Sequence, residues 1–282
     1  MAPRRKRKSR QRKPSAVSTR SSVLASLDAL RKVAIVPAKD EAATVGDVVR
    51  ELLKGPVDEV LVVANGCSDN TAQVASAAGA RILNISEPLG HDVGRAIGAA
   101  YIDADIYLFT DADFVLPASA YVPFVSAVAE GVDVALNDLE AIATRRARAH
   151  VVNVCKRFLN TAMGREELGI NSLTAVPHCL SRRAVRAIGP RNLAVPPKAM
   201  VLAHRAGLSI KAVSSINVNV RNRVRPRLHG PGLGPMDELI IGDHLEALSL
   251  LLRQDGARGR FLDVDRDRKS LARFSLFDFH WL

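Results

Sequence analysis

The sequence contains few aromatic residues, few cysteines and no long apolar run. Aromatic side chains make up 4% of its 282 residues, so its core must be mainly aliphatic, which suits helices packed on a buried parallel sheet. Cys67, Cys155 and Cys179 are far apart and lack C-x-x-C spacing. This argues against a zinc cluster or a disulfide framework and favours a reducing compartment.

No apolar run approaches the roughly 18 residues that a membrane-spanning helix requires. No apolar stretch follows the basic amino terminus, as it does in a signal peptide. We therefore expect a cytoplasmic protein, with peripheral association with a membrane left open.

Acidic residues are absent from the first 20 positions, which instead hold nine lysines and arginines. The formal net charge of the whole chain is +11, so by subtraction the remainder carries about +2 and lacks the charge of a nucleic-acid-binding body. This composition predicts a disordered basic tail over residues 1–30. Three roles stay open for the tail: a solvated segment without a partner, an arm that binds anionic lipid or a wall polymer, or a non-specific phosphate-binding arm. It offers no aromatic side chain on which bases would stack.

The rest of the sequence alternates short β-branched runs with segments of helical periodicity. Strands are predicted at 33–36, 60–64, 80–85, 106–110, 132–136, 173–180, 208–213 and 216–220. Helices are predicted at 42–54, 71–78, 92–103, 118–130, 147–163, 182–188, 196–205 and 236–253. Strands separated by helices imply βαβ units with right-handed crossovers, and therefore an α/β protein with a mainly parallel sheet.

Polar loops follow four predicted strands of the first half, at Pro37–Glu41, Asn65–Asn70, Ser86–Gly94 and Asp111–Asp113. In open α/β sheets, ligands bind outside the carboxyl ends of the strands. We therefore expect the four loops to converge on one edge of the sheet and to form a ligand site there.

Asp111 and Asp113 lie directly after the apolar run 106–110. Charge at the end of a buried strand is costly unless something offsets it. A divalent cation carrying a nucleotide diphosphate would offset it, because Mg²⁺ and Mn²⁺ prefer hard oxygen ligands and usually use one or two protein carboxylates plus substrate phosphates. The alternative is a loop in which an aspartate caps the following helix.

Four segments carry a resemblance to a known family. Residues 33–45 resemble the opening motif of family-2-type glycosyltransferases, I-P-A-Y-N-E, and residues 62–71 resemble their V-D-D-G-S-T-D-G-T segment. Residues 89–98 are similar to their G-K-G-x-A-x-x-x-G loop and helix, and residues 108–113 match their D-x-D motif. The motifs occur in family order and at family spacing, and together they cover residues 33–135.

The resemblance implies a GT-A fold, a Rossmann-like and mainly parallel sheet flanked by helices, with a smaller acceptor-side α+β extension. It divides the chain into a basic tail (1–30), a nucleotide-sugar-binding half (31–140), an acceptor-side half of the same domain (141–260) and a carboxyl-terminal tail (261–282). The implied cofactor is Mn²⁺ or Mg²⁺, and the implied donor is a nucleotide-diphospho-sugar, with a uridine-linked sugar expected.

The resemblance also assigns residues to the donor site. Those implied to contact the donor are Pro37, Ala38, Lys39, Glu41, Asn65, Gly66, Asp69, Gly90, Arg95, Asp111, Ala112 and Asp113. Asp113 is implied to ligate the metal directly, with Asp111 nearer the ribose or bound through water, and both are the candidate catalytic residues. Several members of this set have a local alternative. Asp69 and Glu41 suit helix starts, and Arg95 suits a solvated helix face or a phosphate contact. Gly90 and Gly94 would let the backbone approach a ligand closely.

The sequence departs from the family in three places. Ala64 and Asn65 replace two acids, which leaves the base of the nucleotide open, and His91 stands where a lysine is common. The segment 193–200 holds no carboxylate where inverting members carry the general base, so the stereochemical course stays open.

The last third of the chain holds further candidates for the site. A carboxyl-terminal histidine completes the metal site in some retaining enzymes of this fold, which makes His244 a candidate ligand, along with His229. The alternative for His244 is an ordinary helix residue. Neutral imidazole suits Mn²⁺ better than Mg²⁺. The arginines within 221–227 are candidates for gripping the diphosphate or a phosphorylated acceptor, or they form a solvated exposed strand.

These features predict a metal-dependent glycosyltransferase that transfers a hexose to an acceptor not identified from the sequence, whether a small molecule, a lipid-linked molecule or a wall polymer. The alternative is a non-catalytic nucleotide-sugar-binding or scaffold protein of the same fold, docked to an anionic surface by its basic tail. A sugar-phosphate nucleotidyltransferase is disfavoured, because the loop Pro37–Glu41 lacks the Gly-rich G-x-G-T-R-x-x-P motif that such enzymes carry after the first strand.

Overall fold

The computed structural model, which describes residues 29–144, 147, 149–218, 233–268 and 270, contains one mixed sheet. Its seven strands are β1 (Lys32–Ala38), β2 (Glu59–Asn65), β3 (Arg81–Ile85), β4 (Ile106–Phe109), β5 (Val134–Asn137), β6 (His178–Ser181) and β7 (Ile210–Ser214). The strand order is β3-β2-β1-β4-β6-β5-β7, and only β6 runs antiparallel to its neighbours. The prediction of an α/β protein with a mainly parallel sheet is therefore confirmed.

The described part of the chain contains eight α-helices. They are α1 (Val45–Leu53), α2 (Thr71–Ala77), α3 (Val93–Tyr101), α4 (Val122–Ala129), α5 (Val151–Met163), α6 (Arg182–Ile188), α7 (Pro196–Arg205) and α8 (Pro235–Asp255). Short 3₁₀ turns lie at Ala118–Ala120, Glu166–Leu168 and Pro190–Ala194. In this part of the chain, no helix is both long enough and apolar enough to cross a membrane.

Both faces of the central strands are buried under helices. In β1, Val33 and Ile35 pack into one apolar cluster, Ala34 and Val36 pack into the other, and none of the four is exposed to solvent. Successive side chains of a strand point to opposite faces of the sheet, so a strand that is covered on both faces is apolar throughout. Burial of each large aliphatic side chain contributes about 1.5–3 kcal/mol.

Two glycines of α3 bring this helix close to β1. A β-carbon on Gly98 would lie 2.6 Å from Cγ2 of Ile35, and one on Gly94 would lie 2.9 Å from Cβ of Pro37. Both distances are too short for real contacts, so only glycine permits this approach. Gly94 therefore seats α3 against the sheet, and this places Arg95 at the sheet edge. The expectation that Gly94 lets the backbone approach a ligand closely stays a prediction.

The strand predicted at 173–180 is shorter than expected. Residues 173–177 form a turn with a cis peptide bond between Val176 and Pro177, and β6 begins at His178. Proline has no backbone N–H to donate to a strand ladder, so it is confined to strand starts, edges and bulges. The ladder accordingly begins after Pro177.

The strand predicted at 216–220 is wrong in its described part. Residues 215–217 have no regular structure and Val218 lies in a 3₁₀ turn, while 219 and 220 fall outside the described residues. The cause is the side chain of Asn137, which accepts a hydrogen bond from Ile216 N at 2.8 Å and donates one to Ile216 O at 2.9 Å. The backbone groups of Ile216 are therefore satisfied by an amide side chain and not by a neighbouring strand.

Candidate functional site

The loops that follow β1, β3 and β4, together with the end of β2, surround a cavity of about 500 Å³. A volume of this size is within the range of small-molecule and cofactor sites. Its wall is formed by Pro37, Ala38, Lys39, Asp40, Glu41, Asn65, Gly90, His91, Asp92, Arg95, Asp111, Ala112 and Asp113. Ten of the twelve residues that the resemblance assigned to the donor site line this cavity, and Gly66 and Asp69 do not.

Asp69, in the loop after β2, connects that loop to the loop after β1. Its carboxylate accepts hydrogen bonds from the backbone N–H groups of Thr71 at 2.9 Å and of Ala42 at 3.1 Å. The backbone N–H of Glu41 donates in turn to Thr71 Oγ1 at 2.8 Å. The hydrogen bonds from Thr71 hold the pKa of Asp69 below its usual value. The local interpretation of Asp69 therefore accounts for its contacts.

Asn65 and Gly66 hold the loop that connects β3 to α3. The Asn65 side chain donates to Gly90 O at 3.1 Å and accepts from Leu89 N. A carboxylate here would accept from Leu89 but would not donate to Gly90, so the amide is the group that satisfies both. Gly66 has φ +59°, and a β-carbon there would lie 2.6 Å from Pro88 N. The amide at position 65, one of the two positions where the family carries acids, thus has a structural role in this loop.

Thr44 connects the D-x-D segment to the loop after β1. Its hydroxyl donates to Ala112 O at 2.6 Å. The side chain of Ala112 is buried in the apolar cluster that covers one face of the sheet. The backbone between the two aspartates is therefore anchored from both sides.

Arg95 lies between two carboxylates of the cavity wall, those of Asp92 and Asp111. Its Nη2 lies 2.6 Å from Asp111 Oδ1, and its Nη1 pairs with Asp92 Oδ1. The side chain is only 10% exposed, so the alternative of a solvated helix arginine is wrong. Its Nε is buried and donates to no acceptor in the described part of the chain. A guanidinium held between two carboxylates at the cavity wall is placed to meet a phosphate.

Asp111 and Asp113 offer the hard oxygen ligands that Mn²⁺ or Mg²⁺ prefers. The Asp111 side chain is 34% exposed and shares one oxygen with Arg95, and both aspartates line the cavity. Two carboxylates beside a buried guanidinium, in the wall of a cavity of about 500 Å³, have the chemistry to hold a divalent cation and a diphosphate together.

His244 is not brought to these carboxylates, which corrects its assignment as a metal ligand. The side chain is buried on α8, its Nδ1 donates to Ile240 O at 2.7 Å, and it is not part of the cavity wall. Burial, and secondarily the nearby Lys156, lowers its pKa. The interpretation as an ordinary helix residue accounts for these contacts. His229, the arginines of 221–227 and the basic tail lie outside the described residues.

The sequence singled out His91 as a departure from the family, but it gave no role to Asp40, Asp92 or His178, which lie at or beside the site. Asp40, His91 and Asp92 line the cavity, and Asp40 accepts from Ser68 N at 2.7 Å. Asp40 and Asp92 have φ near +60°, a conformation that neither motif reveals. His178 lines a small second cavity together with Arg95. It begins the short apolar strand β6, and nothing in the sequence around it indicates a functional role. Burial, reinforced by the charge of Arg95, lowers the pKa of His178 to about 3, so the ring is neutral.

The strand order, the D-x-D loop at the carboxyl end of β4 and the flanking cavity define the GT-A class of α/β protein. The sequence profile of glycosyl transferase family 2 matches residues 33–186, more than half of the chain, and the chain belongs to this family.

Two curated relatives are glucosyl-3-phosphoglycerate synthases. The one from Mycolicibacterium paratuberculosis is 33% identical over 103 residues, which are 32% of this chain and 31% of the relative. The one from Mycolicibacterium smegmatis is 35% identical over 101 residues, 32% of this chain and 33% of the relative. The matched segment thus spans about a third of the length of these relatives.

Solved structures share the fold over most of the chain. Glucosyl-3-phosphoglycerate synthase from Mycobacterium tuberculosis, in complex with Mn²⁺, UDP-glucose and phosphoglyceric acid, has a TM-score of 0.60 and 22% identity. That match covers 90% of this chain and 87% of the other. The same enzyme with UDP has a TM-score of 0.61 and 22% identity, covering 85% of this chain and 86% of the other. These comparisons establish the GT-A fold.

Proposed function

We propose that the protein is a metal-dependent glycosyltransferase that uses a UDP-linked hexose, with UDP-glucose as the first donor to test. The observation that carries this proposal is the convergence of Asp111, Asp113 and Arg95 on one cavity at the carboxyl edge of the sheet. A small phosphorylated carboxylic acid of the phosphoglycerate class is the proposed acceptor. The names of the relatives support that class and the donor.

In this proposal Asp113 and Asp111 hold the divalent cation. When bound, Mn²⁺ or Mg²⁺ supplies Lewis-acid stabilisation of the negative charge that develops on the departing diphosphate. Arg95 would add a charge-assisted contact to the same diphosphate. It is already desolvated and held by Asp92 and Asp111, so little side-chain freedom is lost when the donor binds.

The remaining cavity wall orients the nucleotide. Among the residues that line the cavity, Pro37, Lys39, Glu41, Asn65 and Gly90 would enclose the base and ribose. Glu41 is buried at the cavity wall, where a carboxylate accepts from ribose hydroxyls or base N–H groups. The donor contacts of these residues are part of the proposal. The division into a nucleotide-sugar-binding half (31–140) and an acceptor-side half (141–260) is also part of it.

Residues 193–200 offer no general base for the acceptor hydroxyl. This described segment forms the end of a 3₁₀ turn and the start of α7, and it carries no carboxylate. Asp243, whose pKa burial raises to about 6, lies on α8 and does not line the cavity. The proposal therefore concerns donor binding and leaving-group departure.

The test combines binding with turnover. Calorimetry with UDP-glucose, with and without Mn²⁺, should show metal-dependent binding, and adding 3-phosphoglycerate should yield UDP and a glucosylated product. Asp113→Asn should abolish Mn²⁺-dependent binding, because a neutral amide is a poor replacement for a carboxylate ligand. Asp47→Asn, at an exposed i,i+3 ion pair on α1, is the matched control and should bind like the unchanged protein.

Two results would contradict the proposal. Full metal-dependent activity of the Asp113 variant would remove the metal assignment. Binding of UDP-glucose without turnover on any phosphorylated acceptor would favour the non-catalytic alternative.

A further inference from the structure

His178 has one ring nitrogen whose role the backbone dictates. Its Nδ1 lies 2.8 Å from Ala175 O, and a carbonyl oxygen only accepts hydrogen bonds. Nδ1 therefore carries the proton, and Nε2 of the neutral ring is an acceptor. The ring stacks on Phe109, with centroids 5.0 Å apart and an interplanar angle of 25°. Stacking and the Ala175 bond together fix the plane of the ring.

Arg95 presents the complementary group. Its Nε–H is a buried donor with no acceptor in the described part of the chain, although both terminal nitrogens are paired. Arg95 and His178 both line a small cavity of about 10 Å³, and the rest of its wall consists of Phe109, Leu173, Leu193 and Pro196. The side chains of Arg95 and His178 are the polar ones in this wall. The volume is close to the minimum for one water molecule, which needs at least two polar partners.

We propose that His178 is the positioning residue for Arg95, with its Nε2 accepting the Nε–H of Arg95 through one buried water in this cavity. The guanidinium is planar, so fixing Nε together with the two terminal nitrogens sets its orientation completely. Arg95 then presents a fixed face to the cavity and holds Asp111 in one position. The expected consequence is tighter binding of the diphosphate, and this consequence rests on the proposed function.

The experiment measures the affinity for UDP in the presence of Mn²⁺ by calorimetry in five proteins: the unchanged protein, three single variants and one double variant. His178→Phe keeps a flat ring on Phe109 but has no acceptor, whereas His178→Gln restores an acceptor oxygen on a side chain of similar length. We expect His178→Phe to weaken binding on the order of 10-fold, the effect of leaving a buried charged donor without a partner. His178→Gln should recover most of that loss.

Arg95→Lys supplies the second arm, because lysine has no Nε–H to hold. In that background, adding His178→Phe should change the UDP affinity by less than about threefold, since interacting residues are non-additive in a double-mutant cycle. Multiplicative effects would overturn the proposal, and so would a His178→Phe variant that binds like the unchanged protein. If the unchanged protein does not bind UDP in the presence of Mn²⁺, that result contradicts the proposed function itself. Loss of the His178 effect in a protein that does bind UDP contradicts only this inference.

A spectroscopic readout keeps the inference testable if His178→Phe does not fold. Histidine ¹⁵N resonances of the metal-free protein at neutral pH should show His178 protonated at Nδ1 and hydrogen-bonded at Nε2. The Nε2 resonance should move in Arg95→Lys. A proton on Nε2, or a resonance unchanged in the Arg95 variant, would refute the link.

Discussion

Gly66→Ala should both destabilise the protein and weaken donor binding. Gly66 has φ +59°, and a β-carbon there would lie 2.6 Å from N and 2.7 Å from Cα of Pro88. Alanine in the left-handed conformation costs about 1–2 kcal/mol. The collision is with backbone, which cannot rotate away, and overpacking of this kind adds about 1–3 kcal/mol. We therefore expect a loss of about 2–5 kcal/mol in the free energy of unfolding, from the sum of the two effects.

Gly207→Ala is the matched control for this change. Gly207 has φ +64°, nearly the same as Gly66, but a β-carbon there meets nothing within 4 Å. Only the conformational cost of about 1–2 kcal/mol applies to it. Thermal denaturation should therefore separate the two variants by several degrees, at about 2–4 °C per kcal/mol for chains approaching this length.

Donor binding provides the second comparison between the glycine variants. Displacing Pro88 would shift the loop that ends at His91 and Asp92, both of which line the cavity. UDP binding in the presence of Mn²⁺ should therefore weaken in Gly66→Ala and stay unchanged in Gly207→Ala. Equal stability of the two variants would refute the reasoning that the approach of Pro88 requires glycine at position 66.

Three further predictions concern single contacts. Thr44→Val removes the hydrogen bond to Ala112 O, so it should cost about 1 kcal/mol in chemical denaturation and weaken Mn²⁺-dependent binding; unchanged binding would show that the D-x-D loop needs no such anchor. Asp133, whose pKa Arg183 holds below its usual value, stabilises the fold above the unfolded pKa, and this stability is lost as the pH falls through the folded pKa. Asp133→Asn should therefore destabilise the protein at pH 7 and flatten the stability profile below about pH 4, whereas an unchanged profile would argue against this pairing. His178, with a pKa lowered to about 3 by burial, binds a proton more readily when unfolded, so stability should fall as the pH drops below about 6.5. Denaturation of His178→Phe between pH 7 and pH 4 should lack that contribution, and an identical slope in both proteins would contradict it.

The fold class followed from local patterns because β1, β2 and β4, three of the four strands in the first half, are buried on both faces. Apart from Pro37 and Glu59, which are partly exposed, the residues of β1 and β2 are buried. These strands are therefore nearly continuous apolar runs, which are recognisable without tertiary information. The second half is less regular, and there the pattern misled twice. Pro177 limits β6, and the Asn137 side chain takes the backbone groups of Ile216. Residues 137 and 216 are far apart in sequence, so no local window reveals their contact.

In the candidate site, too, some features were predictable from local sequence and others depended on tertiary contacts. Loop positions were predictable, because parallel strands deliver their carboxyl ends to one edge. Individual roles were not, because they depend on which side chains meet across that edge. Asn65 and Asp69 support the loops, and His244 packs within a helix layer away from the cavity.

By itself the sequence determined a mainly parallel α/β sheet, a family and an edge where Asp111 and Asp113 would lie. These follow from apolar periodicity and motif order, which are local properties of the chain. Only the tertiary structure decided that Arg95 is buried between Asp92 and Asp111 with His178 behind it. It did so because Gly94 and Gly98 let α3 pack against β1, and that close approach buries the charged side chain of Arg95 at the edge of the sheet.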